Sequence, residues 1–281
     1  MNDLGLTAQQ AKYCTTHIHE QVLTITMNTP AKLNGWTLPM MESFRAAFSK
    51  AADNDHVHAI IFTGTGPYFS AGVNLSSTIK LMAPKQLKAL ITEMNQALFD
   101  MFLAIPKPIL VAINGPAIGA SVTSATLCNH IIASSNATFL LPFARLGVPP
   151  EGCSSVHLPK LIGADNAERM MGPEGWVPTA QEAVQIGLIQ GISEPEQLLA
   201  DAQAIAKEWV RNGTPRSFMA GSEKAELLAA NQAESIALGN AFLATPFLNG
   251  QAKFLWSKKK YMPALTFYLL VVTRPIWKYF L

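Results

Sequence analysis

The stretch PKPILVAINGPAIGASVTSATLCNHIIAS (residues 106–134) decides the fold class. Pro106 and Pro108 stop the helix before them, because proline lacks the N–H that a helix interior needs. Residues 109–113 are an unbroken apolar run ended by Asn114-Gly115-Pro116, which reads as a strand buried on both faces. Small residues then fill 120–127 and suit a tightly packed helix, and 129–135 are strand-like again. Strand, turn, helix and strand in so short a span predict an α/β core with parallel pairing.

The flanks agree with that reading. Upstream, residues 17–27 alternate and run as one strand into the turn at Asn28-Thr29-Pro30. Residues 40–52 have helical spacing, 58–64 are a buried strand, and 84–105 repeat apolar residues at three- and four-residue steps as an amphipathic helix. Downstream, 137–142 read as a strand, and Thr179-Ala180-Gln181-Glu182 is a capping box opening a helix. Beyond Pro195 the pattern is helical. The expected organisation is a core over residues 1–195, a helical region over 196–260 and an atypical apolar tail over 261–281.

Bulk properties exclude several classes. The 281 residues are 49% apolar and 14% charged, a globular composition. The net charge of +2 and the single tight cluster Lys258-Lys259-Lys260 argue against a nucleic-acid partner. Three widely spaced cysteines fit neither a disulfide framework nor a zinc site. The His17/His19 and His56/His58 pairs lack a metal-site pattern around them. Residues 264–272 (ALTFYLLVV) are too few to span a bilayer, so the tail is expected to dock on the body or on a partner subunit.

Two strand–turn–helix junctions could carry chemistry: Phe69-Ser-Ala-Gly-Val-Asn-Leu75 and Asn114-Gly-Pro-Ala-Ile-Gly-Ala120. Glycine there lets a ligand approach the main chain, and converging free N–H groups would make an oxyanion hole; close packing is the alternative use of such residues. Neither junction is a phosphate loop, and no serine sits in a nucleophile elbow. Cys153 has no cationic neighbour to favour its thiolate. Glu151, in the turn GVPPEGCSS (residues 147–155), reads by itself as a solvated turn residue.

Taken together, FSAGVNL, the 106–134 stretch and ATFLLPFARLGVPPEGCSS (residues 137–155) resemble the enoyl-CoA hydratase/isomerase (crotonase) superfamily. The likeness runs from about Ile18 to about Lys260 and includes TAQEAVQIGLIQGI (residues 179–192). It implies a crotonase-like ββα spiral with a helical C-terminal region that builds trimers. It also implies an acyl-CoA thioester held in an oxyanion hole, its donors being the backbone N–H groups of Val73 and Ala120. The expected substrate-binding residues are Lys32 and Leu33 in NTPAKLNGW, Ala71 and Gly72 with Val73, Asn74 and Leu75, and Gly119 with Ala120. No metal and no cofactor is implied beyond the coenzyme A of the substrate.

The subtype turns on carboxylates. Family hydratases use two glutamates, and the matching positions here are Thr123 and Phe143. Glu151 lies where PPEGCSS resembles the Δ3,Δ2-enoyl-CoA isomerases, in which one glutamate moves the proton. The resemblance therefore implies an isomerase with Glu151 as proton donor and acceptor. The alternatives are a hydratase-like tailoring enzyme on an unusual acyl-CoA and a non-catalytic acyl-CoA-binding scaffold. The resemblance further implies a homotrimer or hexamer, and β-oxidation in the peroxisome, although Lys278-Tyr-Phe-Leu281 is no peroxisomal signal; the cytoplasm is the alternative.

Overall fold

The computed structural model describes residues 3–74 and 82–280. Six strands form the main sheet: β1 (Cys14–His19), β2 (Val22–Met27), β3 (Ala59–Gly64), β4 (Ile109–Ile113), β6 (His130–Ser134) and β8 (Gly191–Ser193), in the order β1-β2-β3-β4-β6-β8. All neighbours run parallel except β1 and β2. A second small sheet pairs β5 (Ala117–Ile118) with β7 (Phe139–Leu140), also parallel. The α/β class predicted from residues 106–134 is the one found, with the crossover helices that parallel pairing requires.

One element differs from the sequence reading. Residues 17–27 are not one strand but the two arms of a hairpin, with Glu20 and Gln21 at its tip. Both tip residues have positive φ, 48° and 64°. That is the two-residue turn whose twist matches the strands, here built without the Asn-Gly that normally announces it.

Strand residues alternate between two apolar layers. Leu23, Ile25, Ile60, Phe62, Val111 and Ile113 enter the main core under the helix Leu38–Ala52. Val22, Ile61, Leu110 and Ala112 point to the other face, where the helix Leu198–Asn212 covers them with Leu198, Ala202 and Ala206. This two-sided cover explains why β3 and β4 read as continuous apolar runs. The C-terminal helices continue the stacking: Lys224–Ala241 packs along Pro84–Ala104, and Thr245–Ser257 packs against the tail helix Tyr261–Trp277.

The tail docks on the body of its own chain. Phe267, Leu270, Val271 and Trp277 pack on a cluster of Ile91, Leu238, Phe242 and Phe247, and the Arg274 Nε donates to the Leu243 carbonyl at 2.8 Å. Among the described residues no helix is long and apolar enough to cross a membrane, and no group of three or more His, Cys, Asp or Glu is placed to hold a metal ion.

Candidate active site

The two glycine junctions meet. Phe69 N–H donates to the Pro116 carbonyl at 3.1 Å and Ile118 N–H to the Ser70 carbonyl at 3.0 Å, which ties the segments side by side. They approach so closely that a Cβ on Gly72 would sit 2.5 Å from the Ile118 oxygen, and Gly72 has φ +76°. Glycine is required there on both counts.

This packing aims two N–H groups at one space. Trp36 N–H donates to the Gly72 carbonyl, and the Trp36 carbonyl accepts from Asn74 N–H. Those bonds use one side of the strand segment, so the Val73 N–H between them lies on the other. Gly119, at φ +59°, precedes the helix Ala120–Thr126, leaving Ala120 N–H at a helix start with no intrahelical partner. Neither N–H has an acceptor among the described residues.

Ala71, Gly72, Val73, Gly119 and Ala120 line a cavity of about 210 Å³. Among the described residues its wall is apolar apart from Asn95 and Glu151, so Glu151 is the one ionisable side chain of those that line it. Of the other expected binding residues, Lys32, Leu33 and Asn74 are not among those that line the cavity. Lys32 and Leu33 are exposed, although the Leu33 carbonyl accepts from Ala71 N–H at 2.9 Å. Asn74 is exposed beside Val73, and Leu75 lies outside the described residues.

Glu151 is not the solvated residue that its Pro-Gly setting suggests by itself: it is only 6% exposed. Its Oε1 accepts from the Thr123 hydroxyl at 3.2 Å, and its Oε2 is buried with no partner among the described residues. Burial pushes its pKa up to about 8; the nearby Glu234 charge adds to the rise and the Thr123 hydroxyl opposes it. The turn is made by Gly152 at φ +69° and Cys153 at φ +65°, after which the helix Ser154–Ile162 begins. A Cβ on Gly152 would lie 2.6 Å from both the Phe99 ring and the Thr123 hydroxyl oxygen.

The enoyl-CoA hydratase/isomerase family profile matches residues 17–248. The chain belongs to the enoyl-CoA hydratase/isomerase family. It is 32% identical over 270 residues to enoyl-CoA delta isomerase 2 of Rattus norvegicus, covering 90% of the chain and 66% of the rat protein, so it spans just under two thirds of that relative. It is 29% identical over 219 residues to 2,3-dehydroadipyl-CoA hydratase of Escherichia coli, covering 78% of the chain and 82% of that enzyme. The crystal structure of an enoyl-CoA hydratase/isomerase from Pseudoalteromonas atlantica T6c shares the fold, with a TM-score of 0.74 at 24% identity over 88% of this chain and 98% of that one.

Within this family member, Thr123 and Phe143 hold the positions where the resemblance puts hydratase glutamates. Thr123 is buried against Glu151, and Phe143 forms part of the cavity wall. Cys153 is buried, its thiol hydrogen-bonded to the Leu227 carbonyl at 3.2 Å and its pKa driven up by burial.

Sequence reasoning missed Glu234, on the helix Lys224–Ala241. It is buried behind the Glu151 turn, accepting Cys153 N–H at 2.6 Å and Ser155 N–H and hydroxyl at 2.8 and 2.5 Å. Burial raises its pKa and those three donors oppose the rise. Its signal in sequence is faint: one acid amid the small and apolar stretch 227–241, where a solvated glutamate would break the pattern.

Proposed function

We propose that this chain is a Δ3,Δ2-enoyl-CoA isomerase, moving a 3-enoyl thioester double bond to the trans-2 position with Glu151 as the acid–base group. The observation that carries the reading is the lone carboxylate, with one unpartnered oxygen, in a cavity that also holds the unpartnered N–H groups of Val73 and Ala120. A 1,3 proton shift needs one such group. The carboxylate takes a proton from C2, the electron pair passes to the thioester oxygen, and the two N–H groups stabilise the resulting dienolate. The protonated Glu151 then returns the proton at C4, and the double bond forms between C2 and C3.

The apolar wall supports this reading in a second way. It keeps water from competing for the dienolate and makes Glu151 a stronger base than an ordinary carboxylate. Only the ionised form accepts the C2 proton. With a pKa near 8, kcat/KM is expected to fall about tenfold per pH unit below that value.

A second apolar cavity of about 420 Å³, walled partly by the tail residues Phe267 and Leu270, shares Ile91 and Phe242 with the first. This shared wall supports a long acyl chain running past those two residues. No cofactor beyond the substrate's coenzyme A is needed. A homotrimer or hexamer and a peroxisomal β-oxidation role belong to the same reading.

The test is ultraviolet detection of the conjugated 2-enoyl thioester from trans-3-hexenoyl-CoA and trans-3-dodecenoyl-CoA. Turnover, greater on the longer ester, and a loss of at least ~10²-fold in Glu151→Gln are expected. Turnover that survives Glu151→Gln, or hydration of a 2-enoyl ester without any 3-enoyl turnover, overturns the reading.

A further inference from the structure

The outer face of the tail helix carries a run of exposed apolar side chains. Met262, Leu265, Leu269, Val272, Ile276 and Tyr279 follow one another at steps of three and four, and each is between 51% and 78% exposed. That spacing puts the first five on a single stripe of the helix Tyr261–Trp277, which Tyr279 continues in the short 3-10 turn Lys278–Phe280. At 1.5 Å per residue the helix is about 25 Å long. The stripe opposes the face that packs on the body, so docking the tail leaves it bare. It also lies beyond the residues matched to the family, which end at 248.

The charge around the stripe is one-sided. Residues 235–281 contain no Asp or Glu and six cations: Lys253, Lys258, Lys259, Lys260, Arg274 and Lys278. Removing those six from the chain's 21 cations leaves 15 against 19 acids over residues 1–234, a net charge of −4. The tail region is therefore +6 on a body of opposite sign. Except for Arg274, which is half-buried, these cations are exposed. Exposed Phe254, Trp256 and Tyr261 sit near the lysine cluster, and Tyr279 sits at the other end.

We infer that this face docks on an anionic lipid bilayer, the helix lying in the interface with its stripe among the acyl chains. An apolar stripe edged by lysines and amphipathic aromatics is the pattern that binds there. Charge chooses between this occupant and a second copy of the same helix. Two tails stripe to stripe would bring together the exposed Lys258, Lys259, Lys260 and Lys278 of both copies with no acid in either tail to pair them, whereas anionic headgroups complement them. The helix lies on the surface rather than crossing it, since it is neither long nor apolar enough to span. This inference does not depend on the isomerase reading.

The experiment is sedimentation of the full chain with phosphatidylcholine vesicles, with and without phosphatidylserine, compared with Leu269→Glu/Val272→Glu and with Lys258, Lys259 and Lys260 changed to Ser. Binding is expected with phosphatidylserine and is expected to weaken with salt. The paired Glu variant should lose it. The lysine variant should weaken it on the order of 100-fold, as each cation near an anionic leaflet contributes roughly fivefold. All five substituted positions of the stripe and cluster are on the surface, and circular dichroism checks that each variant is folded. Absence of binding to either vesicle overturns the proposal, as does binding that survives the paired Glu variant. A fall in oligomer size of that variant by light scattering, without vesicle binding by the parent, assigns the stripe to a second copy instead.

Discussion

Glu151 and Glu234 are two buried carboxylates on opposite sides of one turn, and they are treated in opposite ways. Glu234, from the C-terminal helices, accepts three hydrogen bonds from Cys153 and Ser155. Glu151, from the spiral, accepts one and leaves its other oxygen buried without a partner among the described residues. Three donors fix a charge in place, while a bare oxygen in an apolar wall keeps its basicity. The C-terminal region thus supplies the acid that holds the turn, and the turn supplies the acid that lines the cavity.

The sharpest way to break that division is at the turn itself. Gly152→Ala places a methyl 2.6 Å from the Phe99 ring and the Thr123 hydroxyl oxygen, at a φ that disfavours any side chain. The strain and overpacking are expected to cost about 2–4 kcal/mol, read as a lower urea midpoint. Because the methyl pushes on Thr123, the one partner of Glu151, turnover in the surviving folded fraction should fall at least ~10-fold. A stable variant with normal turnover would mean that the turn does not set the position of Glu151.

Glu234→Gln tests the other side. A Gln side chain turns an N–H₂ toward one of the three donors, so stability should drop by about 1–3 kcal/mol. The informative readout is the pH–rate profile. The Glu234 charge raises the pKa of Glu151, so removing it should move the acidic limb to lower pH. A loss of stability with an unmoved limb would leave Glu234 a structural anchor with no influence on the base.

The two carboxylates were unequally legible in the sequence. The spiral announced itself because buried strands leave apolar runs and tight junctions leave glycines, as at residues 109–119. Glu151 stands out once its turn is seen in the order of the family's other motifs, but its burial does not: Pro-Gly turns are usually wet, and this one is closed by residues distant in sequence, among them Phe99, Thr123 and Glu234. Glu234 is 83 residues further along the chain, and nothing local marks it as a partner of Cys153. The hairpin tip at Glu20 and Gln21 leaves no local mark in the sequence for a related reason, since side chains that disfavour positive φ are held there by six paired residues on each arm. The resemblance assigns Lys32 and Leu33 to the coenzyme A site; both are exposed, on a segment held by buried Asn34, which donates to the Thr65 and Tyr68 carbonyls at 2.8 and 2.9 Å.

The smallest change sharpens the comparison most finely. Thr123→Val keeps the shape beside Glu151 and removes its single hydrogen bond. The hydroxyl holds the Glu151 pKa down, so its loss should raise that pKa further and shift the acidic limb of the rate profile upward. Turnover at pH 7 should fall a few-fold, with a stability cost of about 1 kcal/mol. The outcome at high pH separates two roles. Recovery of the parent rate once Glu151 is fully ionised means that Thr123 tunes basicity alone. A deficit that persists there means that the hydroxyl also aims the carboxylate, which would make the one-donor arrangement of Glu151 a device for orientation as well as for keeping the base strong.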